Sequence, residues 1–328
     1  MTILRLPAAA LAWLGGQGTR AVAAIVFVAI AAPPVDAILK PFVSEAIFVL
    51  LAIAFMRVDT TALRRYVGQP WLVLATTGWT MLVVPAAFGA AAFAPVLESG
   101  GLDRQSPDLF LGFMLQGIAP PMMAAPAFAA LMGFDATLVL VTLVVGTALT
   151  PLTAPLFAYL FVGPALAMSP LALGVRLFAI LAGSGLLAFI VRSTAGSARI
   201  VRWKSELDGL NILIAYVFVA AVMENVAGRF AAAPVPMIGL AALAFGVSFV
   251  LFAVTAALFV RAGREHAFTI AFMTTQRNMG LMLAATGGVL PELAWIYFAL
   301  CQFPIYLLPQ LLKPLARRLT QPQKAAAA

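Results

Sequence analysis

Histidine and cysteine are almost missing from this chain: His266 and Cys301 are the only ones. A single cysteine excludes an internal disulfide and any cysteine-based metal cluster. A single histidine leaves no pair to hold zinc or haem. Charge is scarce too. Only 10% of the 328 residues are Asp, Glu, Lys or Arg, too few to coat a soluble domain of that length. No Ser/His/Asp set and no nucleotide loop stands out, so neither an enzyme nor a cofactor or metal is expected. What fills the space is apolar. At 63% hydrophobic and a mean hydropathy of +1.05, the chain reads as a polytopic α-helical membrane protein. A β-barrel would alternate in short strands, and here the apolar runs are unbroken. The net charge of +8 would suggest nucleic acid in a soluble protein. In this one it is loop charge on the cytoplasmic side, and the expected partner is the lipid bilayer.

Apolar runs of about 20 residues, the length of one spanning helix, are separated by short polar punctuation. Ten spans are expected, over 18–35, 40–56, 70–92, 107–132, 136–162, 170–191, 208–228, 236–260, 266–286 and 289–312. Pro33, Pro34 and Asp36 make the first two the least regular. The stretch before Gln17 lacks a small-residue cleavage site and reads as a lead into the first span rather than a signal peptide. With the N-terminus inside, every second connection is basic: Arg57, Arg64 and Arg65, then Arg192, Arg199, Arg202 and Lys204, then Arg261 and Arg264. The opposite side collects Glu98, Asp103 and Asp108. This alternation is the positive-inside pattern. It places both termini in the cytoplasm, with the inner (plasma) membrane of a bacterium as the expected location.

Ten spans with both termini inside allow two five-helix halves, 1–165 and 166–328, and an odd-numbered repeat must invert its topology. The halves echo each other weakly, with Gly112 to Gly117 laid over Ala271 to Gln276. Each of these helices then meets an interruption. The first is Pro120, Pro121 and Pro126, and the second is Asn278-Met279-Gly280 with Gly287-Gly288 beyond. Corresponding interrupted spans are the best sequence pointer to a midplane binding site.

The second interruption holds the most unusual residue, Arg277, in the polar run Thr274-Thr275-Gln276-Arg277-Asn278 between apolar flanks. A guanidinium at membrane depth costs at least about 2.5–3.5 kcal/mol on insertion scales, and such residues normally mark a site. The plain alternative is an arginine that caps carbonyls of a neighbouring helix. Asp and Glu residues fall in loops or at helix ends, so an anionic ligand is the simplest partner for the charge. A carboxylate or sulfonate would suit its fork. The expected binding residues are Arg277, Asn278, Gln276, Thr275, Thr274 and Gln116, with Pro121, Ala125 and Pro126 in the first break.

Leu39-Lys40-Pro41, Phe55 to Asp59, Leu63-Arg64-Arg65 and Gln69-Pro70 open the chain in a familiar pattern. Leu131 to Ala136 follows, and then a Thr-, Gly- and Pro-bearing helix running to Pro151 and Pro155. In these stretches the chain resembles the bile acid:sodium symporter family, within the wider superfamily of bile acid, arsenite and auxin-type carriers. The likeness runs from about Arg20 to Arg318. It implies ten helices in two inverted repeats, arranged as a panel and a core domain, with the fourth and ninth helices broken and crossing. The family's sodium ligands do not carry over. Its Ser-Asn pair becomes Ala125 and Pro126, its Glu and Gln on the ninth helix become Met273 and Arg277, its third-helix glutamine falls at Thr80, and its fifth-helix hydroxyls become Val139 and Leu143. A hard cation needs oxygen ligands, and these side chains supply almost none. The arsenite branch carries a cysteine in the fourth-helix break, which Pro120 to Pro126 lacks.

The expectation is therefore a divergent, bacterial-type member: a carrier of a small organic anion by alternating access, coupled by exchange or protons or not at all. Arg277 would stand in for the coupling cation or anchor the substrate. The runners-up are a sodium-dependent symporter with relocated ion sites, and a homologue that binds its ligand without moving it.

Overall fold

The computed structural model describes residues 5–31, 33–58, 66–93, 106–163 and 166–326. Asp59, Leu63, Arg64, Arg65, Glu98 and Asp103, used above for orientation and resemblance, lie outside them. Among the described residues helix is the only regular structure. In chain order the principal helices are Arg5–Gly16 (α1), Thr19–Ile30 (α2), Ala37–Met56 (α3) and Pro70–Ala91 (α4). Then come Pro107–Ile118 (α5), Ala125–Met132 (α6) and Ala136–Val162 (α7). Pro170–Ala195 (α8), Lys204–Val222 (α9) and Pro234–Leu258 (α10) follow. The last are Arg264–Thr275 (α11), Met279–Ala285 (α12) and Glu292–Ala326 (α13).

Among the described residues seven helices are long and apolar enough to cross a membrane: α3, α4, α7, α8, α9, α10 and the first 25 residues of α13. Large apolar side chains on them face outward, among them Leu152, Tyr159, Leu171, Phe189 and Val235. Apolar outer surfaces over helices with internally paired backbones are what a bilayer demands of an all-α membrane protein. The first expected span departs from the sequence reading. Within 18–35 one helix runs only over Thr19–Ile30 (α2, 12 residues) and another starts at Pro33, while α1 precedes α2 across a 101° bend at Gly16 to Thr19. Gly18 at φ 53° makes the corner, a conformation open to glycine. Counted as one span, this pair brings the total to eight.

The chain forms two compact units, each built from both halves of the sequence. One comprises 1–58 and 179–234, and the other 59–178 and 235–328. In the first unit α1 lies directly on α9. A Cβ on Gly209 would strike the Leu11 backbone, and one on Gly15 would strike the Ser205 carbonyl. Small residues one turn apart let helix backbones touch in this way. Polar ends are tied locally: Lys40 pairs with Glu224 at 2.5 Å and Arg57 with Asp208 at 2.6 Å. Arg192 donates to the carbonyl of Val58 at 2.7 Å, just past the C-terminus of α3.

The second unit holds the deepest core. From Ala267 to Ala285 every residue but Phe268 and Asn278 is buried, although the run carries Thr274, Thr275, Gln276 and Arg277. α5 packs on α13, where a Cβ on Gly112 would sit 3.2 Å from the Ala294 backbone. Helices α4 and α7 run parallel. The Tyr66 hydroxyl, just before α4, donates to Asp135, just before α7. Further along both, a methyl on Gly146 would lie 3.2 Å from Met81 Sδ.

Candidate functional site

Two interruptions face each other in the second unit. After Ile118 the α5 helix ends, because neither Pro120 nor Pro121 has an N–H to continue it. Ala119, restricted by the proline that follows, turns extended at ψ 141°. The second interruption has no proline. Its polar run supplies local competitors for the helix instead. Gln276 (φ −85°, ψ 83°) and Asn278 (φ −80°, ψ 66°) are the centres of two successive inverse γ-turns. Their bonds run from Arg277 N–H to the Thr275 carbonyl (3.1 Å) and from Met279 N–H to the Arg277 carbonyl (2.9 Å). The Asn278 side chain then caps α12 by accepting from Leu281 N–H at 3.1 Å. At its far end α12 closes on Gly287 and Gly288, both near φ +72°.

Each break repairs the other. Met122 N–H donates to the Gln276 carbonyl at 2.6 Å, and Asn278 N–H donates to the Pro120 carbonyl at 2.7 Å. Pro121 and Arg277 are thereby opposed in an antiparallel bridge. In a membrane interior these freed backbone groups have no water to turn to, so mutual pairing is what makes two broken helices tolerable.

Arg277 closes the arrangement. Its Nη1 donates to the Ala119 carbonyl at 2.8 Å and to the Thr80 carbonyl at 3.1 Å. Ala119 is the negative end of the α5 dipole, where a cation is favoured. Thr80 is free for a subtler reason. Residues Trp79–Val83 form a π-helical turn in α4, in which Val84 N–H reaches back to the Trp79 carbonyl. That takes away the usual α-helical donor for Thr80. The next residue, Pro85, has no N–H to offer in its place. A π-turn of this kind is a frequent mark of functional sites. Two charge-assisted hydrogen bonds contribute about 1.5–3 kcal/mol each, enough to offset the insertion penalty of roughly 2.5–3.5 kcal/mol. The other edge of the guanidinium, Nε and Nη2, is buried and has no protein partner. Among the described residues no carboxylate pairs with Arg277.

The other sequence-selected residues divide into those at the crossing and those turned away. Pro121 is the bridge partner of Arg277, while Ala125 and Pro126 begin α6 beside the first break. Thr274 and Thr275 are buried, but their hydroxyls donate back to the Ile270 and Phe272 carbonyls, each at 2.7 Å. Gln116 is engaged by α13: Tyr297 donates to its Oε1 at 2.7 Å, and Cys301 Sγ lies 3.7 Å away. Gln276 and Asn278 flank Arg277 at the centres of the two turns. The Gln276 amide is buried without a partner.

Sequence reasoning missed the junction at one end of this unit. Asp135 caps α7, accepting from Thr137 N–H and Leu138 N–H at 3.0 Å each. It also accepts from Tyr66, and its N–H donates to Thr269 on α11 at 3.3 Å. His266 Nε2 lies 3.9 Å from the same carboxylate. The Asp-Ala-Thr cap was a legible signal. Its long-range partners were not. No protein-family model matches the chain, and no curated protein sequence does.

Proposed function

We propose that the chain is a secondary carrier that moves a small organic anion across the membrane by alternating access, without sodium. The observation that carries this reading is the pair of mutually hydrogen-bonded breaks with a buried guanidinium between the carbonyl at the end of α5 and the carbonyl freed by the π-turn of α4. Half-helices that meet with freed carbonyls are a cation site by nature, because the carbonyls and helix C-termini supply negative potential. Here a covalently attached cation occupies that role. A coupling sodium would have to displace Arg277 Nη1 or find ligands elsewhere.

The ten-span, inverted-repeat architecture belongs to the same proposal. α5 with α6, and α11 with α12, fall outside the continuous spans because each pair is broken. Counted as spans beside the eight above, they give ten. One unit holds the first, second and seventh spans and the sixth from Ala179 on, and the other holds the rest, a division that suits a panel and a core.

The test is thermal unfolding of the purified protein against a panel of organic anions, with sodium or choline as cation, in the wild type and in Arg277→Gln. A ligand that binds the native state raises the midpoint by mass action. An anion that stabilises the wild type equally in both cations, and fails to stabilise the variant, supports the reading. A shift that appears only with sodium contradicts it.

A further inference from the structure

We propose that the Nε/Nη2 edge of Arg277, with the hydroxyls of Thr77 and Thr142, forms an occluded subsite for a carboxylate. The inference rests on the carrier reading only in taking that carboxylate to belong to the transported anion.

A guanidinium has five N–H donors in a rigid fork. Both on Nη1 are engaged by the Thr80 and Ala119 carbonyls. The remaining edge presents Nε–H and one Nη2–H in parallel, the geometry that matches two carboxylate oxygens. Arg277 is 1% exposed, so this edge does not reach bulk solvent. A buried charged donor without an acceptor is among the most expensive groups a protein can hold.

The hydroxyls enter from neighbouring helices. Buried threonines in this unit usually bond back one turn, as Thr76, Thr80, Thr150 and Thr274 do. Thr77, Thr142 and Thr147 do not, and their buried oxygens have no partner; Thr77 and Thr142 are the two that the helix register pairs. Their placement follows from the register of α4 and α7. Gly146 touches both Met81 and Pro121, the latter being the residue opposed to Arg277. Thr77 lies four residues before Met81 and Thr142 four before Gly146. On parallel helices both therefore sit one turn back on the facing sides. Residue 80, whose carbonyl holds Arg277, adjoins Met81.

The donor count favours one ligand class. A carboxylate has about four lone-pair positions on two oxygens. The fork fills two, and two hydroxyls fill the others. A sulfonate brings a third oxygen beyond these four donors, and chloride has no use for a parallel fork.

The test is equilibrium binding of carbon-14 acetate to the purified full-length protein, with methanesulfonate and chloride as competitors. It compares the wild type with Thr77→Val and Thr142→Val. Arg277 variants are less diagnostic because that side chain also holds the crossing together. Saturable acetate binding is expected, with both competitors displacing it at least roughly tenfold less well than unlabelled acetate. Each valine variant should weaken acetate roughly tenfold, the loss of one hydrogen bond to a charged group. The same variants should raise the unfolding midpoint without ligand, because each removes an unpartnered buried hydroxyl. Chloride competing as well as acetate, wild-type affinity in both variants, or no saturable binding would overturn the subsite. If acetate binds as described but vesicles bearing the protein move no anion, the carrier reading fails and the subsite stands. If vesicles carry an organic anion and neither valine variant alters uptake, the subsite fails and the carrier stands.

Discussion

At the scale of single residues, Arg277 takes the carbonyl-capping role that the sequence offered as the plain alternative to a ligand site. One nitrogen caps carbonyls, and the opposite edge is left free. Arg277→Met is expected to leave both carbonyls unpaired, at about 1–3 kcal/mol each, and to lower the unfolding midpoint by several degrees. Arg277→Lys should recover part of that loss, because an ammonium can meet a carbonyl but cannot present a fork. Equal midpoints for Met and Lys would show that the carbonyl bonds contribute nothing. The residue itself was legible as a lone charge between apolar runs. Its partners were not, because backbone carbonyls carry no sequence signal of their own. The hints were indirect: Pro85 and Pro120–Pro121, which remove the donors that would have satisfied Thr80 and Ala119. Thr274 and Thr275 were misleading in the opposite sense. They are polar and correctly placed, yet their hydroxyls are spent on their own helix.

Among elements, the π-turn of α4 and the cap of α7 are the parts most open to test. An interior proline normally costs a helix about 3 kcal/mol relative to alanine. Pro85→Ala should break that rule. The restored N–H lets residues 79–84 return to ordinary helical pairing, which withdraws the Thr80 carbonyl from Arg277. A lower unfolding midpoint is therefore expected despite better helix propensity, and a clear rise would refute the link. Asp135→Ala removes a cap worth about 0.5–2 kcal/mol and also the carboxylate to which Tyr66 donates. Its effect on the midpoint should exceed that of an ordinary cap deletion, and Tyr66→Phe should cost less in the Asp135→Ala background than in the wild type. Full additivity would mean that the two side chains act separately. In the first unit, Gly209→Val should force α1 off α9, because a side chain there meets the Leu11 backbone. Faster proteolysis within residues 5–16 would register it.

On the scale of the whole molecule, long spans were readable because hydropathy and length alone define them. The ends of the chain's first spans were less so. A corner at Gly16 to Thr19 depends on one glycine dihedral, and of the expected span over 18–35 the helix α2 covers only Thr19–Ile30. The pairing of the breaks was suggested by matching positions in the two halves. Its hydrogen bonds lie beyond any periodicity argument, since they join residues about 155 positions apart. What the fold contributes to the account is a crossing that holds its own cation, and this makes sodium independence its central claim. The most direct measurement is uptake by vesicles containing the purified protein, following carbon-14 acetate and a panel of larger carboxylates with choline or sodium as the only cation. The account predicts the same initial rate in both salts and no uptake with Arg277→Gln. Uptake that requires sodium, or that survives the loss of Arg277, would contradict it.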